Sequence, residues 1–312
     1  MKLVLLDAQT LGDDLDLSAL EQFGELITYP ITAAEQTAER IQDAQIVITN
    51  KVIIDRSLME QAAQLKLICI AATGMNNVDL DAAKELGIAV KNVAGYSTRS
   101  VAQHTFATAL YLIEKLDYYK QVVKSGTWSN QPLFTDVSRP YFEIAGKQWG
   151  IIGMGSIGRE VAQIATAFGA NISYHSTSGN NTNQPYTHKS LEALLRESDI
   201  LSIHAPLNAQ TKNLINQTNL PLLKEGAILL NMGRGGIINE IDLAAELERR
   251  ELYAGLDVST KEPIEADHPL LHLSHPERLL LTPHIAWASI EAREKLLEGI
   301  VENIKAKVKS KK

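Results

Sequence analysis

Arg234, Glu262 and His284 each stand just past an apolar, strand-like run in the second half of a 312-residue chain. Arg234 follows AILLNMG with glycines on both sides, Glu262 follows AGLDVSTK, and His284 follows LLLTP. A planar guanidinium can hold a carboxylate through paired, charge-assisted hydrogen bonds and polarise the carbonyl next to it. A protonated imidazole can give its proton to that carbonyl's oxygen, and a nearby glutamate orients the ring and favours its cationic form. Given a hydride source, these three groups would reduce a 2-keto acid. In reverse, the neutral imidazole would take the hydroxyl proton of a 2-hydroxy acid. Taken singly, the arginine reads as a solvated loop residue and the histidine as structural. Four consecutive strands that all end in polar residues on one rim outweigh that reading.

A place for the hydride source is written in GMGSIG, residues 153–158. It follows the strand-like KQWGII and opens the helical SIGREVAQIATAFG. Gly153 permits the tight turn, Gly155 lets backbone approach a pyrophosphate, and Gly158 lets helix pack on strand. N–H groups at the helix start, at Ser156 and Ile157, then face the phosphates. The adenosine end departs from the usual pattern. In HSTSGNN, Ser176 lies between His175 and Thr177, where an acidic residue would take the ribose 2′-hydroxyl. Without a carboxylate the 2′-phosphate of NADP(H) is not repelled. Without a nearby arginine to bind it, and with only His175 and Lys189 as basic candidates, NAD(H) is favoured. The run ILSIHAPLNAQT sets His204 and Pro206 at another strand's carboxyl end, and Asp257 closes the strand before Glu262. His204 fits a capping or core role as well as a cofactor contact.

Such residues need a scaffold that brings strand ends together. Short β-rich runs at 2–6, 25–29, 45–49, 66–70 and 88–91 alternate with helical patterns such as AAEQTAERIQ and LDAAKELG, the latter stopped by Gly87. A second set lies at 147–152, 171–175, 200–204, 227–231, 253–257 and 279–282. The alternation predicts an α/β protein with two doubly wound parallel sheets, the second with the six strands of a dinucleotide-binding domain. One long helix is expected over 97–124, capped by Ser97 or Thr98, and a last helix over 289–308. A chain that leaves one domain, builds another and returns predicts a domain of 1–96 plus 288–312, a second of 97–287, and a cleft suited to hinge closure.

Composition excludes several classes. A formal net charge of −7 and no basic stripe in the body of the chain argue against nucleic acid. The basic run 305–312 reads as lysines at a helix C-terminus. The single cysteine, Cys69, rules out an internal disulfide and fits a reducing, cytoplasmic setting. The first apolar stretch is interrupted at Asp7, no run approaches membrane-spanning length, and no metal is expected.

Four segments are similar to the D-isomer-specific 2-hydroxyacid dehydrogenase family: ATGMNNVDL, NVAGYSTRSVAQHT, GMGSIGREVA, and the stretch from NMGRGG through LDVSTKEP to TPHIAWAS. The resemblance covers essentially the whole chain. The ATG-x-NNVD, GYST and PHIAW details most resemble its glycerate dehydrogenase or hydroxypyruvate reductase branch. The resemblance implies that Arg234, Glu262 and His284 are catalytic, on a Rossmann domain paired with a flavodoxin-like substrate domain. It adds Thr105, Thr211, Met232 and Gly233 to the cofactor side. It also implies that backbone N–H groups of Thr73, Gly74 and Met75 complete the carboxylate pocket. Trp287, three residues beyond His284, would narrow that pocket toward small acids such as hydroxypyruvate and glyoxylate. A homodimer through the dinucleotide-binding domain is implied, with Phe134 reaching toward the second copy. Rival readings are a dinucleotide-sensing corepressor and phosphoglycerate dehydrogenase, which often carry additional segments, and formate dehydrogenase, which uses Gln where Glu262 stands.

Overall fold

The computed structural model describes residues 1–309. The end of the basic run, 310–312, lies outside them. Two units form: Met1–Ser97 with the segment from Trp287, and Thr98–Ala286.

In the first unit, β1 (Lys2–Leu5), β2 (Glu25–Thr28), β3 (Ile46–Thr49), β4 (Leu67–Ile70) and β5 (Ala89–Lys91) make a parallel sheet ordered β2-β1-β3-β4-β5. That is the flavodoxin-like order. The central strands β3 and β4 are buried at every residue, so IVIT and LICI show no alternation, as strands covered on both faces should not. The helices between strands are α1 (Ala34–Ile41), α2 (Arg56–Gln61) and α3 (Leu80–Glu85). α2 is too short to show a period, yet Asp55 caps it by accepting from the Leu58 N–H at 2.9 Å. Asp79 caps α3 in the same way through Ala82 N–H.

Sequence periodicity predicts one helix from residue 97 to 124, but the second unit opens with two, α4 (Thr98–Ile113) and α5 (Leu116–Lys124). The break is Lys115, in left-handed backbone at φ 52°. Its ammonium sits 3.3 Å from the centre of the Tyr253 ring. Left-handed backbone costs an L-residue about 1 kcal/mol, which a cation–π contact of similar size can offset. That contact is invisible to periodicity.

The sheet of this unit contains β6 (Gln148–Ile152), β7 (Asn171–His175), β8 (Thr187–His188), β9 (Ile200–Ile203), β10 (Ile228–Asn231), β11 (Tyr253–Leu256) and β12 (Leu279–Leu281). Its helices are α6 (Ser156–Ala167), α7 (Leu191–Glu197) and α8 (Glu240–Arg249). All strands are parallel, in the order β12-β11-β10-β9-β6-β7-β8. This is the doubly wound dinucleotide order with one further strand, and its direction reverses between β6 and β9. Six strands were legible as apolar runs. The seventh, β8, is two polar residues pairing along β7, too short to register as a pattern.

The chain then returns to the first unit as α9 (Ile290–Lys309), where Leu296, Ile300 and Ile304 are buried among Leu3, Leu5, Ile46 and Ile48. Each such aliphatic side chain contributes about 1.5–3 kcal/mol on burial. Among the described residues no helix is long and apolar enough to cross a membrane.

Candidate active site

The carboxyl ends of β10, β11 and β12 bring the three polar residues onto neighbouring loops. His284 Nδ1 lies 2.7 Å from Glu262 Oε2. A carboxylate only accepts, so Nδ1 carries the proton and Nε2 is the ring nitrogen left for a reacting group. The other Glu262 oxygen accepts from Ser259 N–H at 3.1 Å, which fixes the carboxylate's direction. Arg234 donates from Nη1 to its neighbour's carbonyl, Gly233 O, at 2.8 Å. No carboxylate pairs with it among the described residues, so most of its donor fork is uncommitted.

Each loop has its own brace. Asn231, buried at the end of β10, accepts from Gly233 N–H at 3.0 Å and donates to Arg234 O at 2.9 Å. A Cβ on Gly235 would collide with the Ser259 carbonyl, so glycine here lets the Arg234 loop lie directly on the Glu262 loop. Glu240, first residue of α8, accepts from both Thr260 N–H (2.6 Å) and Thr260 Oγ1 (2.8 Å). Asp257 holds the His284 loop. Its Oδ1 accepts from Thr282 Oγ1 at 2.6 Å and Ile285 N–H at 2.8 Å, and its Oδ2 from Ala286 N–H at 2.8 Å. His104, on α4, adds a contact at 3.0 Å to Thr282 Oγ1. Asp257 was legible at a strand end. His104 was not, because nothing in a helical sequence shows which strand end its side chain will meet.

The glycine turn owes its shape to its three glycines. Gly153 has φ 93°, and a Cβ there would meet Ala205 N at 2.8 Å, so the turn closes against β9's continuation only because it is glycine. A Cβ on Gly158 would strike the Gly153 carbonyl, which lets α6 start immediately beside the turn. A Cβ on Gly155 would meet nothing within 4 Å, leaving the start of α6, at Ser156 and Ile157, open to an anion. Next to the turn, both ring nitrogens of His204 are buried without a partner among the described residues. Burial pushes its pKa down to about 3, so the ring is neutral. Open backbone and an unsatisfied imidazole together fit a bound nicotinamide dinucleotide.

Other cofactor-side candidates are occupied internally. Thr211 Oγ1 donates to Pro206 O at 2.6 Å and accepts from Asn208 N–H, shaping the loop after β9. Thr105 Oγ1 donates to Val101 O inside α4 at 2.7 Å, and Met232 is buried beside β9.

The adenosine end differs from the sequence expectation. His175 Nδ1 is engaged by Lys189 O at 3.1 Å, and Lys189 is ion-paired with Glu197. Neither basic candidate is free. An arginine is nearby after all: Arg159, in the first turn of α6, donates from Nη1 to Met154 O at 3.3 Å. The same oxygen accepts from Asn181 Nδ2 at 2.7 Å, and Asn181 N–H donates to Ser176 Oγ at 3.2 Å. Arg159 was overlooked because it precedes β7 in sequence and joins the loop after β7 only in three dimensions.

In the first unit, the turn after β4 is held by Asn92 Nδ2, which donates to Thr73 O at 2.6 Å, and by Thr73 Oγ1, which donates to Val93 O at 3.2 Å. The N–H groups of Thr73, Gly74 and Met75 donate to no acceptor among the described residues. Trp287 packs edge-on to Tyr96 within this unit, ring centres 6.2 Å apart. A cavity of about 230 Å³ in the second unit, lined by Lys115, Lys147 and Tyr253, contains none of the candidate site residues. It opens at the amino ends of the strands, the opposite end from the one where such sheets bind their ligands.

A dinucleotide-type sheet with a carboxylate-paired histidine and an uncommitted arginine at its carboxyl edge defines an oxidoreductase of carbonyl and hydroxyl groups. Residues 106–286 match the description "D-isomer specific 2-hydroxyacid dehydrogenase, NAD binding domain". The chain belongs to that family, and transfers hydride between a nicotinamide cofactor and a 2-hydroxy or 2-keto acid. The hydroxypyruvate reductase of Blautia hydrogenotrophica is 38% identical over 97% of this chain and 96% of its own. Solved structures that match 99% of this chain include two complexes with a nicotinamide cofactor. An acyclic imino acid reductase in complex with NADPH and D-arginine gives a TM-score of 0.87 at 29% identity, over 98% of its length. The D-lactate dehydrogenase from Aquifex aeolicus, complexed with NAD and lactic acid, gives 0.85 at 27%, over 96% of its length.

Proposed function

We propose that this enzyme reduces small 2-keto acids, hydroxypyruvate and glyoxylate foremost, and in reverse oxidises the corresponding 2-hydroxy acids such as D-glycerate. The observation that carries this reading is the 2.7 Å contact between His284 and Glu262, beside a loop whose arginine has no carboxylate partner among the described residues. The Arg234 fork binds the substrate carboxylate and polarises its 2-carbonyl. His284 Nε2 gives a proton to the carbonyl oxygen in reduction and receives one from the hydroxyl in oxidation. Glu262 keeps the ring oriented through Nδ1. A bound nicotinamide supplies or accepts the hydride.

The preference for small acids rests on the full-length similarity to a hydroxypyruvate reductase. Both NAD(H) and NADP(H) are assigned as cofactors. The Arg159 guanidinium beside the loop after β7 supports NADP(H) alongside NAD(H). Assembly as a homodimer through the second unit is supported by the exposed apolar side chains of Leu133, Phe134 and Val137, with Phe134 89% exposed. A cytoplasmic setting is supported by the lone Cys69, a buried thiol whose pKa burial pushes up to about 12.

The test is a panel of hydroxypyruvate, glyoxylate, pyruvate and 2-ketoisocaproate, each with NADH and NADPH. We expect kcat/KM for the first two to exceed that for 2-ketoisocaproate by at least about a hundredfold, the discrimination several methylene groups can give. Equal or better turnover of the branched acid would overturn the substrate assignment.

A further inference from the structure

We propose that Arg159, reaching from the glycine-turn helix, supplies the guanidinium of a seat for the 2′-phosphate of NADP(H), with Ser176 and the loop after it forming the other wall. The proposal rests on the dinucleotide-site reading above and extends it to a named residue. Three contacts place the groups together. Arg159 Nη1 and Asn181 Nδ2 donate to the same carbonyl oxygen, that of Met154 in the glycine turn, at 3.3 and 2.7 Å. Asn181 N–H then donates to Ser176 Oγ at 3.2 Å. The guanidinium and the end of β7 are therefore linked by three hydrogen bonds, through one shared oxygen.

The chemistry of that corner is one-sided. The loop STSGNN, residues 176–181, contains no acidic side chain. Arg159 has no carboxylate partner among the described residues and makes one protein hydrogen bond, so the rest of its fork is available. Ser176 stands where a carboxylate would otherwise bind the ribose hydroxyl and exclude a phosphate. A dianion here meets a guanidinium and the hydroxyls of Ser176, Thr177 and Ser178, with no fixed negative charge opposing it. Of the two basic candidates at this corner, His175 is engaged through Nδ1 by Lys189 O, and Lys189 is ion-paired with Glu197. Arg159 is exposed, so its contribution is screened and a moderate effect is expected.

The experiment uses the full chain without substrate and measures binding of ADP and 2′,5′-ADP by calorimetry, so no turnover is involved. Wild-type protein should bind 2′,5′-ADP at least as tightly as ADP. Arg159→Ala should weaken 2′,5′-ADP about tenfold more than it weakens ADP, and Arg159→Lys should fall between, since an ammonium keeps charge but loses the fork. Ser176→Asp should shift the ratio toward ADP by a similar factor. If Arg159→Ala weakens both ligands equally, or if the wild type binds ADP but rejects 2′,5′-ADP, the seat is overturned and the dinucleotide site stands. If the wild type binds neither, the dinucleotide-site reading fails, and the seat with it.

Discussion

Each of the two sheets closes one strand end with the same device. In the first unit, Asp7 follows β1 and is buried; it accepts from the Thr49 hydroxyl at the end of neighbouring β3 and from Asn50 and Lys51 N–H. In the second, Asp257 follows β11 and is buried; it accepts from the Thr282 hydroxyl just past neighbouring β12 and from Ile285 and Ala286 N–H. Both aspartates turn a strand end into a fixed loop by satisfying two backbone donors and one hydroxyl. The loops differ in cargo. The one under Asp7 carries no group assigned a chemical role, while the one under Asp257 carries His284. The parallel-sheet fold provides the rigid rim in both units, and side chains of the loops decide which rim does chemistry.

The largest effect should come from the cargo itself. His284→Gln keeps a polar side chain but cannot hold a transferable proton, and we expect kcat for keto-acid reduction to fall about a thousandfold, the usual scale of general acid catalysis. Steady-state rates check this; a loss under tenfold would remove His284 as the proton donor.

The two clamps should then separate. Asp257→Asn and Asp7→Asn each turn an acceptor of backbone N–H groups into a mixed donor and acceptor, and each should cost about 2–3 kcal/mol of stability in denaturant unfolding. Only Asp257→Asn should also lower kcat, by at least about tenfold, because only its loop aims a reacting group. If both variants lost stability and activity alike, the difference between the rims would not lie in what the clamped loops carry.

The rims should differ in acid as well. His204 lies beside the glycine turn in the second unit, and burial holds its pKa at about 3 against an ordinary 6.5. The unfolded chain therefore takes up this proton first. The stability is fully present above pH 6.5 and declines as pH falls toward 3, by about 2 kcal/mol at pH 5. His204→Gln should flatten that part of the stability profile whatever it does to the baseline. An unchanged slope between pH 7 and 5 would show that His204 titrates normally.

The legible parts of the molecule were those encoded by consecutive residues. The strands through LICI, ILLN and LLL, and the glycine turn, announced themselves by apolar runs and spacing. Arg234, Glu262 and His284 stood out because each followed such a run. What stayed hidden depends on residues far apart in sequence. Lys115 breaks a helix against Tyr253, His104 reaches Thr282, and Arg159 meets the loop after β7 through Met154 O. The clamps show both sides of this. Asp7 and Asp257 could be placed at strand ends, but not the N–H groups they would hold.

The smallest effect is the most specific to the second rim, because nothing under Asp7 resembles a carboxylate set against an imidazole. Glu262 Oε2 faces His284 Nδ1 at 2.7 Å, while Oε1 is kept by Ser259 N–H. Glu262→Gln preserves a side chain of the same length that can still accept from Nδ1, so the ring should keep its orientation. Glu262→Ala leaves Nδ1 without that acceptor and the ring free to turn. Glu262→Gln should therefore lower kcat for keto-acid reduction by about tenfold or less, and Glu262→Ala by about a hundredfold, within the range that general acid catalysis contributes. Steady-state rates of the two variants read the difference. Equal losses would mean that the acceptor at Glu262 does not orient the ring, leaving the second rim with a histidine held by its backbone alone.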